Sequence, residues 1–194
     1  MRIPYQYNHM AAGATVVDPD AAKYGSRGVF TFLRNGGCNQ SAMTMLNRYL
    51  VSSAVSRMEV SSAGLAINTT VNYGASVFVR DGGTVSSTVV NSNGNVQVSS
   101  GGVAKDTELN FNAQLYVSPG ASASGGNVHS YGRVYASSNT SIRGFHVSYG
   151  GGLYGQGTGV TFDGIVVSSG ADFNAGQSSG VKVIHTTLAS NASF

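Results

Sequence analysis

Residues 69–87 read TTVNYGASVFVRDGGTVSS. TVVNSNGNVQVSSGGVAKD (88–106) and TELNFNAQLYVSPGASASG (107–125) follow without a gap. These three units of 19 residues share one order of apolar, turn and small polar positions. A period near 20 marks a stacked architecture, in which each unit buries its apolar face only against its neighbours. Repeats build long faces more readily than single pockets. A surface, adhesive or structural role is therefore expected ahead of catalysis.

Outward from these units, one apolar column runs Val71, Val90, Leu109, Val128, Val147 and Val167. A second runs Val77, Val96, Leu115, Val134, Leu153 and Phe173, and a third Val79, Val98, Val117, Ala136, Gly155 and Ala175. A fourth, Val85, Ala104, Ala123 and Ile142, keeps the same register. The step is 19 up to Val147 and 20 from there to Val167, which places one inserted residue between Gly155 and Gly164. Aliphatics two apart have the period of a half-buried strand, with the middle residue facing water. Gly82-Gly83, Gly101-Gly102, Pro119-Gly120 and the Asn/Ser clusters supply the turns between strands.

The expected fold is thus all-β: a single-stranded parallel β-solenoid of 19-residue coils over residues 50–194, behind an N-terminal cap or docking segment at 1–49. Roughly seven coils at the ~4.8 Å strand spacing give a rod on the order of 30 Å long. The periodic aliphatics argue against the disorder that a Gly/Ser-rich chain otherwise suggests.

On these residues the chain resembles the AIDA-type repeats of self-associating autotransporter adhesin passengers. Thr69-Thr70-Val71-Asn72-Tyr73-Gly74 with Val79 and Gly82-Gly83 carries the likeness, as does Thr88-Val89-Val90-Asn91 with Val98 and Gly101-Gly102. It covers about two-thirds of the chain and blurs beyond Gly125. The resemblance implies a bacterial cell-surface or extracellular passenger that mediates adhesion, self-association or biofilm formation. It also implies heptose on surface Ser or Thr.

The first fifty residues depart from the repeat. Residues 1–17 have neither the charged start nor the long apolar core of a secretion signal. A short strand is expected within 28–33, and a short helix over 42–50 with Asn39 or Ser41 as N-cap. Such a segment covers the first coil, whose open strand edge would otherwise template aggregation. It could equally dock the rod to a larger assembly. The repeat runs out part-way through a coil at Asn191–Phe194, where further chain or a partner is expected over the edge.

Between the second and third columns, the outward position reads Phe78, Gln97, Tyr116, Tyr135, Tyr154 and Asn174. Phe78, Tyr116, Tyr135 and Tyr154 form the candidate interaction face: a ladder that stabilises the rod, or a strip that binds glycan or protein. Asn72, Asn91 and Asn110 form a second ladder, expected to hydrogen-bond from coil to coil.

Chemistry finds little support. A glycosidase needs two carboxylates ~5 to 9.5 Å apart across a cleft, and the sole lead is Asp106 with Glu108. His9, His129, His146 and His185 lack metal-ligand spacing, although His129 and His146 fall on adjacent coils. Gly155-Gln156-Gly157-Thr158-Gly159 lacks the Lys-Ser/Thr of a phosphate loop and instead marks the inserted residue. The lone Cys38 permits no intramolecular disulfide. No cofactor and no enzymatic activity are expected. A net charge of +3 with scattered basic residues gives no footprint for nucleic acid, and no apolar run reaches the ~18 residues of a membrane span.

The expected partners are further copies of the chain, surface glycans, or a larger assembly. The leading expectation is a non-enzymatic surface adhesin. The alternative is a phage or virus structural protein, a fibre, decoration or tail-associated subunit docking through its N-terminal segment in the virion. A carbohydrate-active β-helix is the third.

Overall fold

Alternating aliphatics on a pleated strand send every second side chain to one side. When such strands are stacked in register, each aliphatic lands on its counterpart from the coil before. The computed structural model, which describes residues 29–32, 50–51, 57–60, 64–176 and 179–192, is built this way throughout.

The early strands are β1 (Val29–Phe32), β2 (Leu50–Val51), β3 (Arg57–Val60), β4 (Leu65–Ile67), β5 (Thr70–Val71) and β6 (Ser76–Val79). The central ones are β7 (Thr84–Ser86), β8 (Val89–Val90), β9 (Asn95–Val98), β10 (Val103–Leu109), β11 (Gln114–Val117), β12 (Ser122–Val128), β13 (Arg133–Ala136) and β14 (Ser141–Val147). The last are β15 (Gly152–Gly155), β16 (Thr161–Asp163), β17 (Val166–Val167), β18 (Asp172–Asn174), β19 (Lys182–Ile184) and β20 (Thr187–Leu188). The fold is an all-β parallel solenoid of about seven coils, with no helix among the described residues.

One sheet takes seven four-residue strands and a last one of three, in the order β1-β3-β6-β9-β11-β13-β15-β18. The other takes two arms per coil, which fuse into the seven-residue strands β10, β12 and β14. All pairings are parallel, and the register Val77↔Val96, Val96↔Leu115, Leu115↔Val134 and Val134↔Leu153 puts the second column one residue above the next.

The two arms meet at a left-handed corner. Asn68, Ser87, Asp106, Gly125, Gly144, Gly164 and His185 all have positive φ there, between 50° and 66°. That single residue turns the strand through a bend while its neighbours stay paired. Two further corners are tight turns, at Asp81-Gly82 and Ser92-Asn93 in one coil and at the equivalent positions in the others.

The columns expected from the sequence form the core. Val71, Val90, Leu109, Val128 and Val147 are fully buried, as are Val77, Val96, Leu115, Val134, Leu153 and Phe173. The third and fourth columns are buried as far as Ala136 and Ile142, and Gly155 and Ala175 are half-buried. The insertion shows directly in the register. Ala136 pairs Gly155 at a step of 19, whereas Ser141 pairs Thr161 at 20, so the extra residue sits in the turn between those pairs. A second insertion follows, because Thr161 pairs Lys182 at 21.

The strand expected within 28–33 is present as β1 and pairs β3 through Val29↔Arg57. Leu50 already belongs to β2. The rest of the expected cap, including the helix up to residue 49, lies outside the described residues, as do the N-cap candidates Asn39 and Ser41 and the lone Cys38.

One buried column is polar. Thr69, Thr88 and Thr107 are fully buried, and their hydroxyls have no hydrogen-bond partner. A buried hydroxyl without a partner carries its desolvation penalty uncompensated. Replacing it by a methyl keeps the β-branched shape. Thr88→Val is therefore expected to raise stability by about 1 kcal/mol in urea unfolding. A loss of stability would show that the hydroxyl is satisfied in solution.

Candidate functional site

From β6 to β18 the outward residues of the eight-stranded sheet make six in-register rows, running Phe78, Gln97, Tyr116, Tyr135, Tyr154 and Asn174. Each is placed by the buried pair beside it: Tyr135 projects outward because Val134 and Ala136 are fixed in the core.

The three tyrosines come together as a stack. Tyr116 and Tyr135 lie 5.0 Å apart at 15°, and Tyr135 and Tyr154 lie 5.5 Å apart at 21°. Gln97 separates Phe78 from this stack. Beside Phe78, the Arg80 guanidinium lies 5.3 Å from the ring centroid and Arg80 Nε donates to Glu59 Oε1 at 2.8 Å.

Stacking along the rod axis has a chemical consequence. Tyr135 has a ring against each of its faces, so it offers edges and a hydroxyl outward but no open π-face. At the other end Arg133 stands over the Tyr154 ring at 5.7 Å. The Tyr154 hydroxyl accepts from Arg133 Nη1 at 2.7 Å and donates to Asp172 Oδ2 at 2.8 Å. The Tyr116 hydroxyl donates to Gln114 Oε1 at 2.6 Å. The ladder is thus held from within, as a flat surface suited to contact with another flat surface.

The Asn ladder forms as expected. Asn91 Nδ2 donates to Asn72 Oδ1 and Asn110 Nδ2 donates to Asn91 Oδ1, both at 2.8 Å. His129 is the next residue of that column, and its Nε2 lies 3.2 Å from Glu108 Oε1.

The sequence's acid lead therefore resolves into separate parts. Glu108 is paired with His129, and Asp106 occupies the left-handed corner with its side chain exposed. His146 bonds Ser168 Oγ at 2.9 Å, so it and His129 take different partners. Asp163 lies between His185 Nδ1 at 2.8 Å and Arg143 Nε at 3.9 Å. Among the described residues no group of three or more His, Cys, Asp or Glu is arranged to hold a metal ion. No helix among them is long and apolar enough to cross a membrane.

Among the described residues, the most exposed large aromatics lie off this face. Tyr73, Phe111, Tyr131 and Tyr149 sit on one corner of the rod. The signal for Tyr73, Phe111 and Tyr149 was in the position after the Asn column, which Ser148 continues, and Tyr131 stands one residue later in its turn. That signal is easily passed over, because it alternates from coil to coil instead of recurring in each.

No protein-family profile and no curated protein matches the chain. Among solved structures, it is similar to a TibC-catalysed, hyper-glycosylated TibA fragment at 21% identity, covering 96% of this chain and 93% of that one with a TM-score of 0.30. A likeness of that size carries no statement about what this chain does.

Burial raises the pKa of Tyr116 above the ordinary 10.0, helped by the neighbouring Tyr135. Tyr154 is raised by burial and then by its hydrogen bond to Asp172. An acid whose folded pKa lies above its unfolded value stabilises the fold fully below the unfolded value and loses that contribution as pH climbs through the folded one. Stability is thus expected to hold from neutral pH to about 10 and fall above it. The alkaline fall should be smaller in Tyr154→Phe, read by urea unfolding over a pH series. An unchanged alkaline limb would remove Tyr154 from the account.

Proposed function

We propose that this protein is a non-enzymatic, surface-exposed or secreted β-solenoid that mediates adhesion or self-association through the outward face of its eight-stranded sheet. The observation that carries the reading is the six-row register of that face, with a stacked tyrosine ladder at its centre. A face on which the Tyr116 and Tyr154 hydroxyls already hold partners has a lower desolvation cost when another such face covers it. Tyrosine supplies large contact area at low conformational cost. Weak contacts repeated along a rod sum by avidity, so no single deep pocket is needed.

The pairing of ionisable groups supports the same reading. Glu59, Glu108, Asp163 and Asp172 each hold a hydrogen-bond or ion-pair partner from another coil. They serve coil-to-coil cohesion and are not gathered around a cleft.

Light scattering over a concentration series tests it. A reversible, concentration-dependent ladder of oligomers is expected. Tyr116→Arg with Tyr135→Arg should weaken it by about tenfold or more, because like charges then meet across the face. A fixed closed trimer insensitive to those changes would point instead to a subunit of a virion-type assembly. A monomer at every concentration that also binds no cell surface would sink the proposal.

A further inference from the structure

The corner between the second arm of one sheet and the next strand of the other forms a ridge along the rod. Each of its turns is closed by a hydrogen bond from the fourth residue to the first, as in Ala75 N to Asn72 O (2.9 Å), Ala113 N to Asn110 O (2.9 Å) and Gly151 N to Ser148 O (2.8 Å). The third residue has positive φ in each, from Asn93 at 57° to Gly150 at 72°, as a type II turn requires. The second residue of such a turn points away from the coil.

Along the ridge that second residue reads Tyr73, Ser92, Phe111, Ser130, Tyr149 and Ser169. From Tyr73 to Tyr149 an aromatic stands on every second coil with a serine on each coil between, and Ser169 and Ser190 then follow without a ring. The rings are open to solvent, with Tyr73 65%, Phe111 55% and Tyr149 74% exposed. Two strand spacings separate them, about 9.6 Å at ~4.8 Å per coil. Tyr131, the third residue of an intervening turn, braces Phe111 edge-on with centroids 5.3 Å apart. Tyr149 lies against the backbone of the next coil, where a Cβ added to Gly170 would come within 2.5 Å of its ring.

Glu108 and His129, the first residue of one turn, border the ridge as a pair. From Tyr73 to Gly170 the second and third turn residues are Tyr, Phe, Ser, Asn and Gly, with no charged side chain. Asn112 Nδ2 donates to Asn93 Oδ1 at 2.7 Å on the exposed surface beside Phe111. Primary amides and hydroxyls next to open rings match an uncharged ligand that carries both apolar C–H faces and hydroxyl groups.

We propose that this ridge binds an uncharged, extended β-1,4-linked polysaccharide laid along the rod axis, with Tyr73, Phe111 and Tyr149 stacking on alternate sugars. In such a chain each pyranose is turned over relative to the one before it. The same face therefore recurs at every second sugar, a repeat close to two strand spacings. Helical or branched glycans do not keep that register. A protein partner is less well served, since a ridge one residue wide presents far less than the ~800 Å² per side of a standard interface. The site is separate from the tyrosine ladder, whose inner ring faces are already covered.

The test is depletion of the full chain from solution by microcrystalline cellulose and by chitin, read against a soluble α-linked glucan as competitor. Retention on at least one of the two solids is expected, unaffected by the competitor. Tyr73→Ser, Phe111→Ser and Tyr149→Ser should each weaken it by roughly 3- to 10-fold, and the triple variant should abolish it. Serine already fills this turn position at 92, 130 and 169, so the fold is kept, with thermal unfolding as the check. Retention on neither solid, undiminished retention of the triple variant, or displacement by the α-glucan would overturn the proposal. Light scattering of the triple variant separates this site from the sheet face. Intact self-association is expected, and its loss without loss of glycan retention would make the ridge a contact between copies.

Discussion

Everything in this molecule follows from the backbone ladder that ties each coil to the next. Pairs such as Asn91 N to Val71 O at 2.7 Å and Asn110 N to Val90 O at 2.9 Å lock the coils in register. A residue then has the same neighbour, one repeat away, on both sides. Side-chain chemistry must agree along a column, because every position meets a copy of itself. Inside the rod this selects aliphatics that stack; at corners it selects Gly, Asn or Ser; on the outside it allows amides to bond amides and rings to stack on rings.

That constraint explains what could be read in the sequence. The four aliphatic columns were legible because a polar residue at any of them would be buried, so the pattern could not drift. The Asn72–Asn91–Asn110 ladder was legible for a related reason, since an amide bonds well to its own kind at one strand spacing. The column of Phe78, Tyr116, Tyr135 and Tyr154 could be assigned, but its ring planes could not. Membership in a row says that rings are near one another; it does not say that their faces are consumed.

Other features left a weaker trace. The second insertion, before Lys182, falls where the repeat has already blurred, and only the pairing of Thr161 with Lys182 exposes it. Thr69, Thr88 and Thr107 look like ordinary strand-edge threonines, yet they are buried with unpartnered hydroxyls. Tyr131 adopts φ 60° where other coils place Gly or Asn, a conformation that no propensity argument assigns to tyrosine. The corner aromatics alternate with serine, so a search at the single-coil period averages them away.

The amide ladders also give the rod a direction. Asn110 donates to Asn91 and Asn91 to Asn72; Asn112 donates to Asn93 and Asn95 to Ser76 Oγ. In each pair the donor lies on the later coil and the acceptor on the earlier one. Along these coils each ladder amide turns its Nδ2 toward the earlier coil and its Oδ1 toward the later one. Two rods meeting side by side can be related by a two-fold axis and close as a pair. Two rods that add coil on coil head to tail continue that sense and can extend as an open-ended filament, whereas a contact between like ends closes as a pair.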